Sequence, residues 1–105
     1  MNKLITVAVI DSGIYPHIDF KNRIVAFKDF VNGRKNAYDD CGHGTHVSGI
    51  IAGSGYASHG RIKGICPAAS LAGIKVLDRL GNGRIENVLD AAGWIISHQK
   101  DLNIR

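Results

Sequence analysis

Residues 40–49 read DCGHGTHVSG. Two histidines three residues apart, with a thiol two residues ahead of the first, are residue types that move protons or hold metals. Gly42 and Gly44 flank His43, so its imidazole is unobstructed and another backbone can approach it closely. The second group with chemical potential is Asp11, which follows an apolar run and precedes Ser12-Gly13. In an open α/β sheet, functional groups collect where strands end. A strand-end Asp can simply cap a turn through its own side chain, and a lone histidine is usually a structural one. Brought together, the two would do more. A carboxylate on one ring nitrogen fixes the tautomer and leaves the other nitrogen free as a base, which is the base half of a nucleophilic triad. A helix start disfavours an imidazolium, and a carboxylate partner would offset that. A different use of the same stretch is zinc binding by Cys41, His43 and His46, with Asp11 or Asp40 as fourth ligand.

The elements that must position these groups read as follows. Residues 4–10 (LITVAVI) form a continuous β-branched run of strand length, as expected of a parallel strand covered on both faces. Residues 24–31 (IVAFKDFV) predict a second strand, and the polar stretch NGRKNAYDD leads from it to the histidines. His46, Val47, Ile50 and Ile51 mark one side of a helix over 43–52 that stops near Gly53 and Gly55. A loop over 54–68 leads to a third strand at 70–77 (SLAGIKVL) and a turn at Gly81-Asn82-Gly83. Ile85, Val88, Leu89, Ala92 and Ile96 then lie on one side of a helix expected to run to His98. Strands alternating with helices predict an α/β fold with a doubly wound, mostly parallel sheet. Asn103-Ile104-Arg105 falls where the next parallel strand should begin, so the sheet is expected to be incomplete within residues 1–105.

Composition narrows the classes. The chain has 105 residues, 45% hydrophobic, with thirteen Lys and Arg against nine Asp and Glu. The basic residues are scattered and not interleaved with aromatics, so no nucleic-acid partner is expected. No apolar run approaches a membrane span, and no export signal precedes the first strand, which points to a cytoplasmic protein without a membrane partner. Two cysteines, Cys41 and Cys66, match no disulfide scaffold or zinc ribbon and read as free thiols in a reducing compartment. Cys66, before Pro67, is expected to be a small buried residue.

VAVIDSGI (7–14), GHGTHVSGIIAG (42–53) and KGICPAASLAGIKVL (63–77) resemble three blocks of the subtilisin-like serine proteases, in that family's order. The likeness spans nearly the whole chain, and the histidine block is the most specific. It implies that residues 1–105 are the N-terminal portion of a subtilisin-like peptidase domain, with Asp11 as the triad Asp and His43 as the general base. His46 would then be a packing residue. The resemblance further implies that 77–85 pairs with extended substrate backbone around Gly81, Asn82 and Gly83, with Leu77, Ile85 and Val88 lining pockets, so the partner is a peptide or protein substrate. Cys41 resembles the free thiol some members carry beside the histidine, and equally reads as a small space-filling residue. Calcium is common in the family, but 54–64 lacks a run of acidic or Asn ligands. No cofactor is therefore expected of this chain, and calcium only of a complete member.

The departure from the family pattern is the nucleophile. The family places its serine in a G-T-S-M-A-like block and its oxyanion Asn well downstream of anything here. Of the six serines, Ser12, Ser48, Ser54, Ser58, Ser70 and Ser97, none has that context. Ser54, between Gly53 and Gly55, reads as part of a helix stop. The chain alone is therefore expected to be inactive and to need the missing C-terminal part of the same domain as a partner. The rival reading is a non-catalytic truncated protease module that binds peptide or a complementary chain.

Overall fold

A computed structural model describes residues 5–105. The elements follow in the order β1 Thr6–Asp11, β2 Ile24–Asp29, α1 His43–Ala52, a short 3-10 turn Tyr56–Ser58, β3 Ser70–Lys75 and α2 Ile85–Leu102. The expected start of the first strand, Leu4, lies outside the described residues. All three strands are parallel, in the order β1-β3-β2. Neighbouring residues of the central strand serve different cores. Leu71 packs with Val9, Ile14, Phe20 and Ala52, whereas Ala72 packs with Ile74, Val76 and Ala91. Because successive strand side chains point to opposite faces, α1 and α2 cover opposite sides of the sheet, as the doubly wound reading requires.

Side chains set the strand ends. β2 stops at Asp29 rather than Val31 because the Asp29 carboxylate accepts hydrogen bonds from the main-chain N–H groups of Val31, Asn32 and Arg34 (2.8, 2.9 and 3.1 Å). This turns the chain out of the ladder. β3 stops at Lys75 rather than Leu77, since the N–H groups of Val76 and Leu77 both turn to the Asp11 carbonyl. On the far edge of β1, Ile104 bridges Thr6 in parallel, with Thr6 N–H donating to the Asn103 carbonyl at 3.0 Å. The pairing expected of residues 103–105 therefore begins where it was anticipated. α2 runs four residues past His98, because Gln99, Lys100 and Leu102 are good helix formers. It ends where Asn103 takes a left-handed conformation (φ 53°).

The helices face the sheet differently from expectation. In α1 the buried residues are Gly44, Ser48 and Ala52, with Val47 and Ile51 packed on the core from the side, while His46 and Ile50 are exposed. In α2 the buried residue is Ala91, flanked by Trp94 and Ile95. Ile85, Leu89 and Ile96 point away, at 72%, 68% and 74% exposure. Both helices place small residues against the sheet, which lets their axes approach it closely.

The last carbonyls of α1, which have no partners within the helix, are all met. Gly53 N–H donates to the Gly49 carbonyl, Ile65 N–H to Ile50, Cys66 N–H to Ile51 and the Arg23 guanidinium to Ala52. The loop 64–66 thus caps the helix it follows. One polar atom in α1 is less well served. The Ser48 hydroxyl is fully buried and, among the described residues, has no hydrogen-bond partner. Ser48→Ala removes that unmet group and adds helix propensity, so it should stabilise the chain by about 1 kcal/mol. A urea midpoint that falls would show that the hydroxyl is satisfied in solution.

Candidate active site

Asp11 is the last residue of β1 and His43 the first of α1. His43 Nδ1 lies 2.9 Å from both carboxylate oxygens of Asp11. Ser12 N–H donates to Asp11 Oδ1 at 2.7 Å, which orients the carboxylate. Asp11 is nearly buried, whereas the His43 side chain is 64% exposed. With Nδ1 facing a carboxylate, the ring proton belongs on Nδ1. Nε2 is then an open acceptor on the solvent side.

The contact depends on how closely α1 starts beside the β1 loop. A Cβ on Gly44 would fall 2.1 Å from the Gly13 carbonyl oxygen, and one on Gly13 would fall 2.1 Å from that of Tyr38. Gly13 also has φ 120° and bridges Asp39. Three backbone segments meet here without side chains between them.

Asp39 anchors that junction. Its Oδ1 accepts from Ser12 Oγ (2.8 Å), Gly42 N–H (2.8 Å) and Cys41 N–H (3.1 Å); its Oδ2 accepts from Thr45 N–H (2.8 Å) and Thr45 Oγ1 (2.5 Å). Ser12 Oγ in turn accepts from Gly44 N–H at 2.9 Å. A helix start without a local side-chain cap is thereby served from a distance, and the carboxylate sits at its positive end. Burial alone would raise the Asp39 pKa, but the hydrogen bonds from Thr45, Gly42 and Ser12 outweigh burial and hold it down to about 2.

Lys75, paired with Asp11 across the ladder, ends the central strand fully buried. Its ammonium donates at 2.7 Å to the Ser12 carbonyl, the Leu77 carbonyl and Asp40 Oδ1. Sequence reasoning missed both Asp39 and Lys75. Lys75 had a signal, as the one charged residue in an apolar strand. Asp39 had none that separates it from Asp40.

The other candidate residues are placed as follows. Leu77 is half-buried and bridges Gly83 in antiparallel fashion. Asp78 closes the loop between them, its carboxylate accepting from Leu80 and Asn82 N–H. Gly81, Asn82, Gly83, Ile85 and Val88 are exposed, and the loop departs directly from the Asp11 carbonyl. The zinc set is not assembled. Among the described residues no group of three or more His, Cys, Asp or Glu side chains could hold a metal ion. Both oxygens of Asp11 are turned to His43, and Asp40 is committed to Lys75. His46 is exposed rather than packed, because its side of α1 faces away from the sheet. Cys41 and Cys66 are likewise exposed free thiols and fill no core space. Cys66 sits on the outer strand of chain that caps α1. Ser54 serves the helix stop, its N–H on the Asp19 carbonyl and its hydroxyl accepting from Tyr56 N–H.

The fold and the pair at its strand end define an α/β chain with a carboxylate–imidazole couple at the carboxyl end of a parallel sheet. The sequence profile of the Subtilase family matches residues 2–104, and the chain belongs to that family. It is 46% identical over 99 residues to Serine protease AprX of Bacillus subtilis (strain 168), covering 94% of this chain and 22% of that protein. It is 39% identical to the Major intracellular serine protease of the same organism, covering 95% of this chain and 33% of the relative. Among solved structures it resembles a cold adapted subtilisin-like serine proteinase, with TM-score 0.75 and 35% identity over 87% of this chain and 31% of that one. The chain thus spans about a fifth to a third of the length of these relatives.

The depressed Asp39 pKa carries a pH signature. An unfolded Asp titrates near its ordinary 3.8 and the folded one near 2, so the carboxylate's contribution is present above about pH 4 and lost as pH falls towards 2. Asp39→Asn should therefore lower stability at pH 7, and the gap to the parent chain should close between about pH 4 and pH 2. Denaturation curves at stepped pH check this; a gap independent of pH across that window would contradict it.

Proposed function

We propose that this chain forms the Asp- and His-bearing part of a serine endopeptidase, in which Asp11 orients His43 and His43 Nε2 takes the proton of a serine outside these 105 residues. The observation that carries the reading is the 2.9 Å approach of His43 Nδ1 to Asp11, with the far ring nitrogen open to solvent. In that role Asp11 stabilises the imidazolium formed when the serine attacks, and the proton later passes to the leaving amine. Membership of the Subtilase family supports the reaction class. The serine is sought elsewhere because those here are otherwise engaged or distant. Ser12 bonds Asp39, Ser54 accepts from Tyr56 N–H, Ser58 bonds the Gly55 carbonyl and Ser97 the Gly93 carbonyl, Ser48 is buried, and Ser70 starts β3 at the end opposite Asp11. Segment 77–85, with its exposed turn at 79–83, is the proposed docking strand for peptide, and Leu77, Ile85 and Val88 are the proposed pocket-lining residues.

The proposed partner is the remainder of a subtilase domain. Two features support it: the parallel pairing of Ile104 begun on β1, and the outward apolar side of α2 at Ile85, Leu89 and Ile96. Burying each such side chain is worth about 1.5–3 kcal/mol, so covering three is comparable with the roughly 5–15 kcal/mol stability of a whole domain. The isolated chain should therefore self-associate or melt broadly, and sharpen when the serine-bearing segment is supplied in trans. A monodisperse monomer with a sharp transition above about 65 °C would contradict this.

The chain alone should neither cleave a broad-specificity chromogenic peptide nor take up a fluorophosphonate. Assembled with the serine-bearing segment it should do both. In that assembly Asp11→Asn should lower kcat by about four orders of magnitude with little change in KM, a size taken from triad proteases generally. A loss under about tenfold would remove Asp11 from the triad.

A further inference from the structure

Among the described residues Lys75 is the one charged side chain at 0% exposure, and it joins three segments. An ammonium has three donors and no acceptor. Here all three are used, on the Ser12 carbonyl, the Leu77 carbonyl and Asp40 Oδ1. Ser12 follows Asp11 and donates its N–H to that carboxylate. Asp40 lies in the turn that leads to His43. Leu77 opens the loop closed by its bridge to Gly83. One cation therefore ties the carboxylate, the imidazole and the proposed peptide-docking loop to the end of the central strand. Tyr38 covers it, with Nζ 5.2 Å from the ring centroid.

We propose that Lys75 is a positioning residue that holds the Asp11–His43 pair in register with the peptide-docking loop 77–83. The inference rests on the endopeptidase reading above. A buried amine is costly unless its charge is met, and Asp40 with two carbonyl dipoles meets it. The arrangement has little slack, because loss of any acceptor leaves a buried donor unmet. A hydrophobic residue of similar length would fill the space but release all three segments. Lysine suits the site through its compact, radially arranged donors; the planar fork of arginine does not match three converging acceptors.

The test uses the enzyme assembled from this chain and the serine-bearing remainder, with active sites counted by fluorophosphonate titration. Two substrates are compared: a tetrapeptide anilide, and an ester of its terminal residue that lacks the upstream residues. Misplacing reacting groups by about 1 Å costs about 100-fold, so Lys75→Met should lower kcat per titrated site by about that factor on both substrates. KM should rise about fivefold or more on the tetrapeptide only, since only that substrate uses the loop. A lysine that merely stabilises the fold would reduce the number of titrated sites and leave both constants per site unchanged, which would overturn the proposal. Asp40→Ala covers the case in which Lys75→Met yields no titratable enzyme. It frees the histidine segment while leaving Lys75 on its two carbonyls, and should lower kcat about tenfold on both substrates with KM unchanged. A kcat within about twofold of the parent would likewise overturn the proposal. Turnover that survives His43→Ala would instead defeat the endopeptidase reading itself.

Discussion

The approach of Gly44 to Gly13 is the contact on which the geometry of this chain turns. With no side chain on either residue, the first turn of α1 rests on the backbone that follows β1; a methyl group on Gly44 would sit 2.1 Å from the Gly13 oxygen. Moving the helix out by the width of a methyl group would draw His43 away from Asp11, whose separation is already a hydrogen-bond length. The same closeness brings Ser12 Oγ within 2.9 Å of Gly44 N–H and lets Asp39 serve a helix start that has no cap of its own. Glycine is thus used here for what it omits. The flexible backbone it would otherwise confer is removed by the hydrogen bonds around it.

Charge organises what sterics bring together. Three carboxylates converge on one helix start, Asp39 and Asp40 from the turn before it and Asp11 from the end of β1, and like charges brought together would repel. Each has a separate cationic or donor partner. Asp11 faces His43, Asp39 takes main-chain N–H groups and two hydroxyls, and Asp40 pairs with Lys75. The positive end of α1 favours Asp39, which accepts from Gly42 and Thr45 N–H. The histidine therefore sits at a helix start without being left to that field alone, because the nearest carboxylate is dedicated to it.

Much of this was legible in the sequence, and the limits have physical causes. Asp11 and His43 stood out because a strand end and a glycine-flanked helix start are places where a side chain has room to react. Their pairing could be argued before any coordinates. The pattern of alternating strands and helices was legible for the same reason: buried parallel strands must be apolar on both faces. Asp39 and Asp40 were not distinguishable, since adjacent residues in a polar loop differ only in the direction the backbone gives them. Lys75 was legible in principle. A strand covered on both faces leaves no exit for a charge, so a lysine within it has to meet its partners inside.

The helix faces show where periodicity misleads. Counting apolar residues placed Ile85, Val88, Leu89, Ala92 and Ile96 inward on α2, and His46 and Ile50 inward beside Val47 and Ile51 on α1. The sheet instead receives Ala91 and Gly44, Ser48, Ala52. A helix can lie close to a sheet only where its side chains are small, and the bulk must then project sideways or outward. Val47 and Ile51 go sideways on α1, as Trp94 and Ile95 do on α2. On α2 a second apolar stripe remains outward, so the helix carries two apolar sides, and the spacing of its bulky residues picks out the outward one. A helix lying between two layers has that composition, whereas a surface helix carries one apolar stripe. The pattern in 85–96 thus picks out the outward side of α2, because bulk is kept off the side on which Ala91 meets this sheet.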